Sequence, residues 1–202
     1  NNPRRVLIIG GGDGGSLQQV LRYPSVEEVV VCELDEKVVD LSRKYFTCFG
    51  DPWSDPRAYL MVRDAFGFLE ENPATFDVII SDTTDPIGMA ERLFSDEFYR
   101  LVVKALKPWG AATTQCEQPY FDADLIKQVY RSARELRVNS AYYYAQVPTY
   151  PGGGIGFMYL SNTPWTNGLN KPYPPGMNQY LNPAIHQAAF ALPEFFRREL
   201  ED

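Results

Sequence analysis

Acidic and hydroxylic side chains crowd one stretch of the sequence, Ser81-Asp82-Thr83-Thr84-Asp85-Pro86-Ile87-Gly88. Two carboxylates bracket a pair of hydroxyls just past an apolar run, and Pro86 holds the chain in an extended turn. A free alkylamine keeps its proton until about pH 10, so an amine that is to attack carbon must first be made neutral. A carboxylate at the reaction centre can orient such an amine and accept its proton. A second carboxylate can hold the amine at the far end of a diamine. With a sulfonium as leaving group, positioning would supply most of the rate.

A second candidate is the loop Gly10-Gly11-Gly12-Asp13-Gly14-Gly15. Glycines let the backbone approach a ligand closely, and the loop opens a helix. Alone it is weak evidence, since glycine-rich turns serve many nucleotides and some are only tight turns. Glu33 sharpens it, lying about 20 residues beyond the loop, where an acidic residue commonly accepts hydrogen bonds from a ribose diol. Asp13 stands where a pyrophosphate loop would avoid an acid. It suits a cationic moiety and leans towards a sulfonium nucleoside carrying an ammonium group. Asp64-Ala65 falls where related sites hold an adenine amino group, and Asp64 can equally cap the helix that Ala65 begins.

These residues need elements to position them. Apolar runs and their breakers predict strands over 6–9, 28–32, 59–62, 77–81 and 111–115, with a closing pair over 139–146 and 155–160. Helices are predicted over 17–21, 36–45, 65–71, 95–106, 122–136 and 184–200. In the second of these Val38, Val39, Leu41 and Tyr45 share a side. Ser95 caps the fourth, whose Phe98, Leu101, Val102 and Leu106 face inward. Lys107-Pro108-Trp109-Gly110 reads as a turn, and 161–183, rich in Pro, Gly and Asn, as a surface excursion. Such alternation argues for an α/β fold with a doubly wound, mostly parallel sheet covered on both faces. Ligands then sit beyond the carboxyl ends of the strands. Each of the first five strands delivers a carboxylate or amide to that edge: Asp13, Glu33 with Asp35, Asp64, Asp82 with Asp85, and Gln115 with Glu117. Chance placement as helix caps accounts for one or two.

Composition narrows the partners. The 202 residues suit one domain, and a net charge of −7 offers no basic face for nucleic acid while favouring cationic small molecules. No apolar run has the length of a membrane span, and no signal peptide is expected at Asn1-Asn2-Pro3-Arg4-Arg5. Cys32, Cys48 and Cys116 form no CxxC pair and no metal-like cluster, so a reduced, cytoplasmic setting is expected and no metal. His186, the single histidine, reads as structural. So does Trp109; the run Tyr142-Tyr143-Tyr144 alternates across a strand, and Lys37, Arg43 and Lys44 form a solvated helix face.

Several of these stretches carry a resemblance. Val6-Leu7-Ile8-Ile9 with the glycine loop, Cys32-Glu33-Leu34-Asp35, Asp55-Pro56-Arg57 and Asp82-Thr83-Thr84-Asp85-Pro86-Ile87-Gly88 resemble the spermidine synthases, the polyamine aminopropyltransferase family. So do Val147-Pro148-Thr149-Tyr150-Pro151-Gly152 and the tail from His186 to Phe195. The matches run in family order over nearly the whole chain. The resemblance implies a Rossmann-like sheet of the class I S-adenosylmethionine-dependent methyltransferase type, closed by an antiparallel strand pair, with 1–202 as one catalytic domain. It implies decarboxylated S-adenosylmethionine as co-substrate, putrescine as acceptor, no prosthetic group and a homodimer. Gly10, Gly12, Asp13, Gly14, Glu33, Asp64, Ala65 and Asp82 would bind the nucleoside, with Asp13 on the aminopropyl amine, Glu33 on the ribose and Asp64 with Ala65 on the adenine. Asp82 would be the base, helped by Tyr150, and Asp85, Gln115 and Tyr150 would line the diamine channel with Asp82.

Three departures from the family pattern matter. No counterpart of the family's N-terminal β-rich segment is expected within these residues. Gln18-Gln19 replaces an Arg-Glu pair, and Cys116 replaces the glycine between Gln115 and Glu117. A catalytically silent subunit of a larger assembly, and an S-adenosylmethionine-dependent amine N-methyltransferase on the same scaffold, are the alternative readings.

Overall fold

The computed structural model describes residues 2–164 and 179–201. Its seven strands are β1 Arg5–Gly10, β2 Glu28–Glu33, β3 Ala58–Val62, β4 Phe76–Asp82, β5 Leu106–Gln115, β6 Asn139–Gln146 and β7 Gly154–Ser161. They form one sheet in the order β3-β2-β1-β4-β5-β7-β6. The first five are parallel to one another; β7 pairs antiparallel with both β5 and β6. The order reverses between β1 and β4, so the crevice of a doubly wound sheet opens there. The expected fold class is the one observed.

Helices cover both faces: α1 Gly15–Leu21, α2 Glu36–Tyr45, α3 Ala65–Glu71, α4 Asp96–Ala105, α5 Ala123–Glu135, α6 Pro183–Ala189 and α7 Glu194–Glu201. Side chains of a strand alternate between faces, and β1 divides its own accordingly. Leu7 and Ile9 enter the larger core with Phe66, Phe98, Tyr99, Ile126, Met158 and Phe196. Val6 and Ile8 enter the smaller one with Leu17, Val20, Val39 and Trp53. Because both faces are covered, β1 reads as an unbroken apolar run.

Four expectations are corrected. Lys107-Pro108-Trp109-Gly110 is not a turn but a bulge within β5: Phe76 pairs with Leu106, and Val78 next pairs with Ala111. On α2 only Val39 and Ser42 are buried, while Val38, Leu41 and Tyr45 are exposed. Leu106 is the first residue of β5 rather than the last of a helix, though it is buried as expected. The C-terminal helix over 184–200 is two helices, interrupted before Pro193, whose ring cannot continue a helix. The excursion over 161–183 lies mostly outside the described residues, and Ser161 belongs to β7. Among the described residues no helix is long and apolar enough to cross a membrane.

Two part-buried anchors tie elements together away from the carboxyl ends of the strands. Arg57 grips Asp55 with Nε and Nη2 and also donates to the carbonyls of Leu21 and Val26, which accounts structurally for the Asp55-Pro56-Arg57 motif. Asp77 accepts from the amides of Arg4 and Arg5, from Lys107 Nζ at 2.8 Å and from Trp109 Nε1 at 3.1 Å. The β5 bulge is thus what carries Lys107 and Trp109 to Asp77, where Trp109, half exposed, serves through its hydrogen bond rather than by packing in a core. Burial alone would raise the Asp77 carboxyl, but these donors overcome it and hold it at about 2.

A carboxyl depressed on folding adds stability above its unfolded pKa and loses it as pH falls through the folded one. Asp77→Asn is expected to lower the unfolding free energy at pH 7 by about 2 kcal/mol. The difference from wild type should shrink between about pH 4 and pH 2, where the wild-type carboxylate takes up its proton. Urea unfolding across that range checks both.

Candidate active site

At the switch point the glycine loop folds over the end of β4. Gly10 pairs in register with Asp82, and the Gly11 amide donates to the Asp82 carbonyl at 2.8 Å. A Cβ on Gly10, whose φ is 73°, would fall 2.2 Å from that carbonyl oxygen, so no other residue fits. Gly14, with φ 83°, turns the chain into α1 beneath Trp53. The Asp82 side chain, largely enclosed, accepts from Ser16 Oγ at 2.6 Å. Burial raises the Asp82 carboxyl, the Ser16 hydrogen bond pulls it back, and the charge of Asp13 raises it again.

The other acids on the glycine-loop side are partly engaged. Asp13, exposed, accepts from the Gly15 amide through Oδ1. Glu33 accepts from the Leu34 and Asp35 amides through Oε1 alone. Its Oε2 lies over Gly12, where a Cβ would come within 2.8 Å of it. Gly12 therefore keeps the space beside that oxygen open. Asp64 caps α3, accepting from the Phe66 amide at 3.1 Å, and Ala65 behind it is buried. Asp35 in turn caps α2. The capping role foreseen for Asp64 is real, and the residue is exposed.

Across β4 the arrangement changes. Gln115 Oε1 accepts from the Thr83 amide at 2.8 Å, tying the end of β5 to the loop that carries Asp85. Tyr150 stands in the turn between β6 and β7. Burial, then the charges of Asp85, Asp82 and Glu117, raise its hydroxyl above the ordinary tyrosine value, and a hydrogen bond with Gln115 partly offsets them. Tyr150 consequently keeps its proton near neutrality. The fold thus gathers Asp82, Asp85, Gln115 and Tyr150, which lie on three separate stretches of sequence.

Two neighbours received no role from the sequence. Glu117, with φ 46°, sits between Asp85 and Asp122; burial first, then those two charges, push its carboxyl up to about 7. Its carbonyl accepts from Tyr142 Oη at 2.8 Å and from the Gly156 amide. Its place at the end of β5 was the only signal. Gln118 is buried; its Nε2 donates to the Pro151 carbonyl at 2.7 Å and its Oε1 accepts from the Tyr120 amide. Gln118 anchors the turn that presents Tyr150, and no motif announces it.

The departures have local accounts. Gln18 Nε2 donates to the Phe49 carbonyl, and Gln19 bridges Gln18 and Arg22. Cys116 points into the core, fully buried, and its thiol is pushed far up by that burial. Tyr142 is buried against Phe196, Tyr143 stacks on Phe157, and His186 lies against Phe190.

A glycine loop at the switch point of such a sheet, with acids at the neighbouring strand ends, defines a protein of methyltransferase-like fold whose crevice opens at that edge. Residues 1–170 match the spermine/spermidine synthase domain. A polyamine aminopropyltransferase of Leptospira biflexa is 44% identical over 196 residues, 96% of this chain and 70% of that protein. A spermidine synthase of Dictyostelium discoideum is 38% identical over 202 residues, 98% of this chain and 71% of its own length. Among solved structures, a spermidine synthase in complex with the transition-state analogue AdoDATO superposes with a TM-score of 0.88 at 34% identity, covering 99% of this chain and 70% of that one. The spermidine synthase of Thermotoga maritima gives 0.85 at 33%, covering 99% and 68%. This chain belongs to the spermine/spermidine synthase family. It is a transferase.

Gln118→Ala is expected to destabilise the protein by about 1–3 kcal/mol, the scale for leaving buried polar partners unpaired. The effect should be local as well. Hydrogen exchange of the Tyr150 and Gly153 amides should accelerate well beyond that of the β1 and β4 amides; equal acceleration everywhere would contradict an anchoring role.

Proposed function

We propose that the protein transfers the aminopropyl group of decarboxylated S-adenosylmethionine to putrescine, giving spermidine and methylthioadenosine. One observation carries this reading: Asp13, Asp82, Asp85, Glu117 and Asp122 cluster along one edge, and none of them forms an ion pair among the described residues. Burial, and after it the charges of Asp85 and Asp122, keep a proton on Glu117 up to about pH 7. A dicationic diamine and a sulfonium nucleoside with an ammonium arm supply the missing charge. The names of the similar proteins and the AdoDATO complex of one of them support the same chemistry.

In this reading the nucleoside lies over the glycine loop. Gly10, Gly12 and Gly14 let it approach, Glu33 Oε2 accepts from the ribose, and Asp64 with Ala65 meets the adenine. Asp13 holds the aminopropyl ammonium. On the other side Asp85 and Gln115 line the diamine channel, with Glu117 beyond them. The diamine nitrogen bonds to the aminopropyl carbon, the carbon–sulfur bond breaks with its electron pair passing to sulfur, and the proton lost from nitrogen goes to Asp82. Tyr150, protonated, hydrogen-bonds the attacking nitrogen or Asp82 and steadies the approach. Positioning provides most of the acceleration, since the sulfonium leaves as a neutral thioether.

The same charges discriminate between nucleosides. S-adenosylmethionine places an α-carboxylate where Asp13 and Asp82 flank the arm. Like charges about 4 Å apart repel by roughly 4 kcal/mol at an effective dielectric near 20, and half of that still exceeds tenfold. The decarboxylated nucleoside is expected to bind at least about tenfold more tightly than S-adenosylmethionine, with Asp13→Asn narrowing the gap. Calorimetric titration of both nucleosides on both proteins checks this. Product analysis after incubation with putrescine tests the reaction itself. Methylated putrescine formed from S-adenosylmethionine would point to a methyltransferase, and no product from either nucleoside to a silent subunit.

Asp82→Asn is expected to keep the fold and the affinity for methylthioadenosine while lowering turnover by about 100-fold or more, the scale of a lost general base. Steady-state kinetics beside a binding titration decide it. Near-normal turnover in the folded variant removes Asp82 from the chemistry.

A further inference from the structure

We infer that Ser16 is a positioning residue for the reaction: its hydroxyl fixes the Asp82 carboxylate so that one oxygen is held and the other is left to take the proton. This rests on the reading of Asp82 as the base. The hydrogen bond from Ser16 Oγ to Asp82 Oδ2 is 2.6 Å long and joins residues 66 apart in sequence.

Ser16 has an alternative use for its hydroxyl and does not take it. It is the second residue of α1, where serine commonly satisfies backbone groups of its own helix. The N-cap of α1, Gly14, supplies no side-chain cap, and the first turn holds no acid. The hydroxyl nevertheless turns across to β4. Gly11 borders the same oxygen: a Cβ built there would stand in ordinary contact, 3.5 Å from Asp82 Oδ2 and 3.8 Å from its Cβ. Oδ2 is therefore enclosed between Gly11 and Ser16, whereas Oδ1 carries no hydrogen bond among the described residues. A carboxylate with one oxygen bonded and one open is oriented for a proton arriving from a single direction.

The charged and titratable groups facing Asp82 are Asp13 from the glycine loop and Tyr150 from the turn after β6. Asp13 disfavours the ionised carboxylate, as burial does, and the Ser16 bond opposes both. Without the hydroxyl, Asp82 would hold its proton to higher pH and be available as a base over a narrower range. The sign follows: the acid limb of the turnover profile moves towards alkaline pH when Ser16 loses its oxygen.

The experiment compares Ser16→Ala, Ser16→Thr and Asp82→Asn in the full chain, with decarboxylated S-adenosylmethionine and putrescine. Alanine is the better helix former at this position, so the fold is not at stake. Ser16→Ala is expected to lower kcat about tenfold at neutral pH and to move the acid limb of kcat up by about one pH unit, the scale of one hydrogen bond to a charged group. The KM for the nucleoside should stay within about twofold, and Ser16→Thr should restore both kcat and the limb. If Asp82→Asn is inactive but Ser16→Ala keeps the wild-type kcat and limb, the inference fails while the base remains. A pH-independent loss in Ser16→Ala that threonine does not rescue also overturns it, since that marks a merely structural role. Turnover retained by Asp82→Asn removes the base and this inference together.

Discussion

The constraint on which the site depends is the contact between Gly10 and the carbonyl of Asp82. Two parallel strands, β1 and β4, run side by side to the point where the sheet changes direction, and there the glycine loop must cross the end of its neighbour. Only a residue without Cβ can do so, because the approach leaves 2.2 Å where a methyl would go. The Gly11 amide closes the contact by donating to the same carbonyl. The backbone of the loop is thus bolted to the residue whose side chain stands at the centre of the proposed chemistry. Any slip between β1 and β4 would move Ser16 and Asp13 relative to Asp82 together.

Around that contact the site divides into two electrostatic halves. On the glycine-loop side each acid already spends one oxygen on backbone amides: Asp13 on Gly15, Glu33 on Leu34 and Asp35, Asp64 on Phe66. These bonds fix the carboxylates before a ligand arrives and leave one oxygen each for recognition, which limits the entropy that binding must overcome. On the opposite side Asp85, Glu117 and Asp122 lie close enough that burial and mutual repulsion keep a proton on Glu117 to about pH 7. One half is preorganised by hydrogen bonds and the other is poised by unneutralised charge. The positive charge of a diamine would relieve the second half without disturbing the first.

The supports of the site differ in how visible they are along the chain. The glycine loop, Glu33, Asp64, Asp82 and Asp85 were legible because local sequence dictates where they fall: an apolar strand ends, and the next polar residue stands at the carboxyl edge. The bounds of α2 and α3 were legible for the same reason, their caps Asp35 and Asp64 being printed one residue ahead. Local reasoning failed where a residue's environment comes from elsewhere. Val38, Leu41 and Tyr45 have helical spacing and apolar side chains, yet on α2 only Val39 and Ser42 reach a core. Lys107-Pro108-Trp109-Gly110 has the composition of a turn, but Asp77 draws Lys107 and Trp109 onto β4 and makes it a bulge.

Sequence by itself determined the α/β class, the run of acids along one edge of the sheet and the family to which the motifs belong. Each of these follows from contacts or spacings within a few residues, where chain connectivity leaves little freedom. Tertiary structure alone decided that Ser16 would turn to Asp82 rather than to its own helix, and that Gln118 would hold the Tyr150 turn. It alone placed Glu117 between two other acids. Those outcomes depend on distances between residues tens of positions apart, which are set by strand order and register. A hydrogen bond or a shifted carboxyl exists only once the sheet has brought both partners to the same edge.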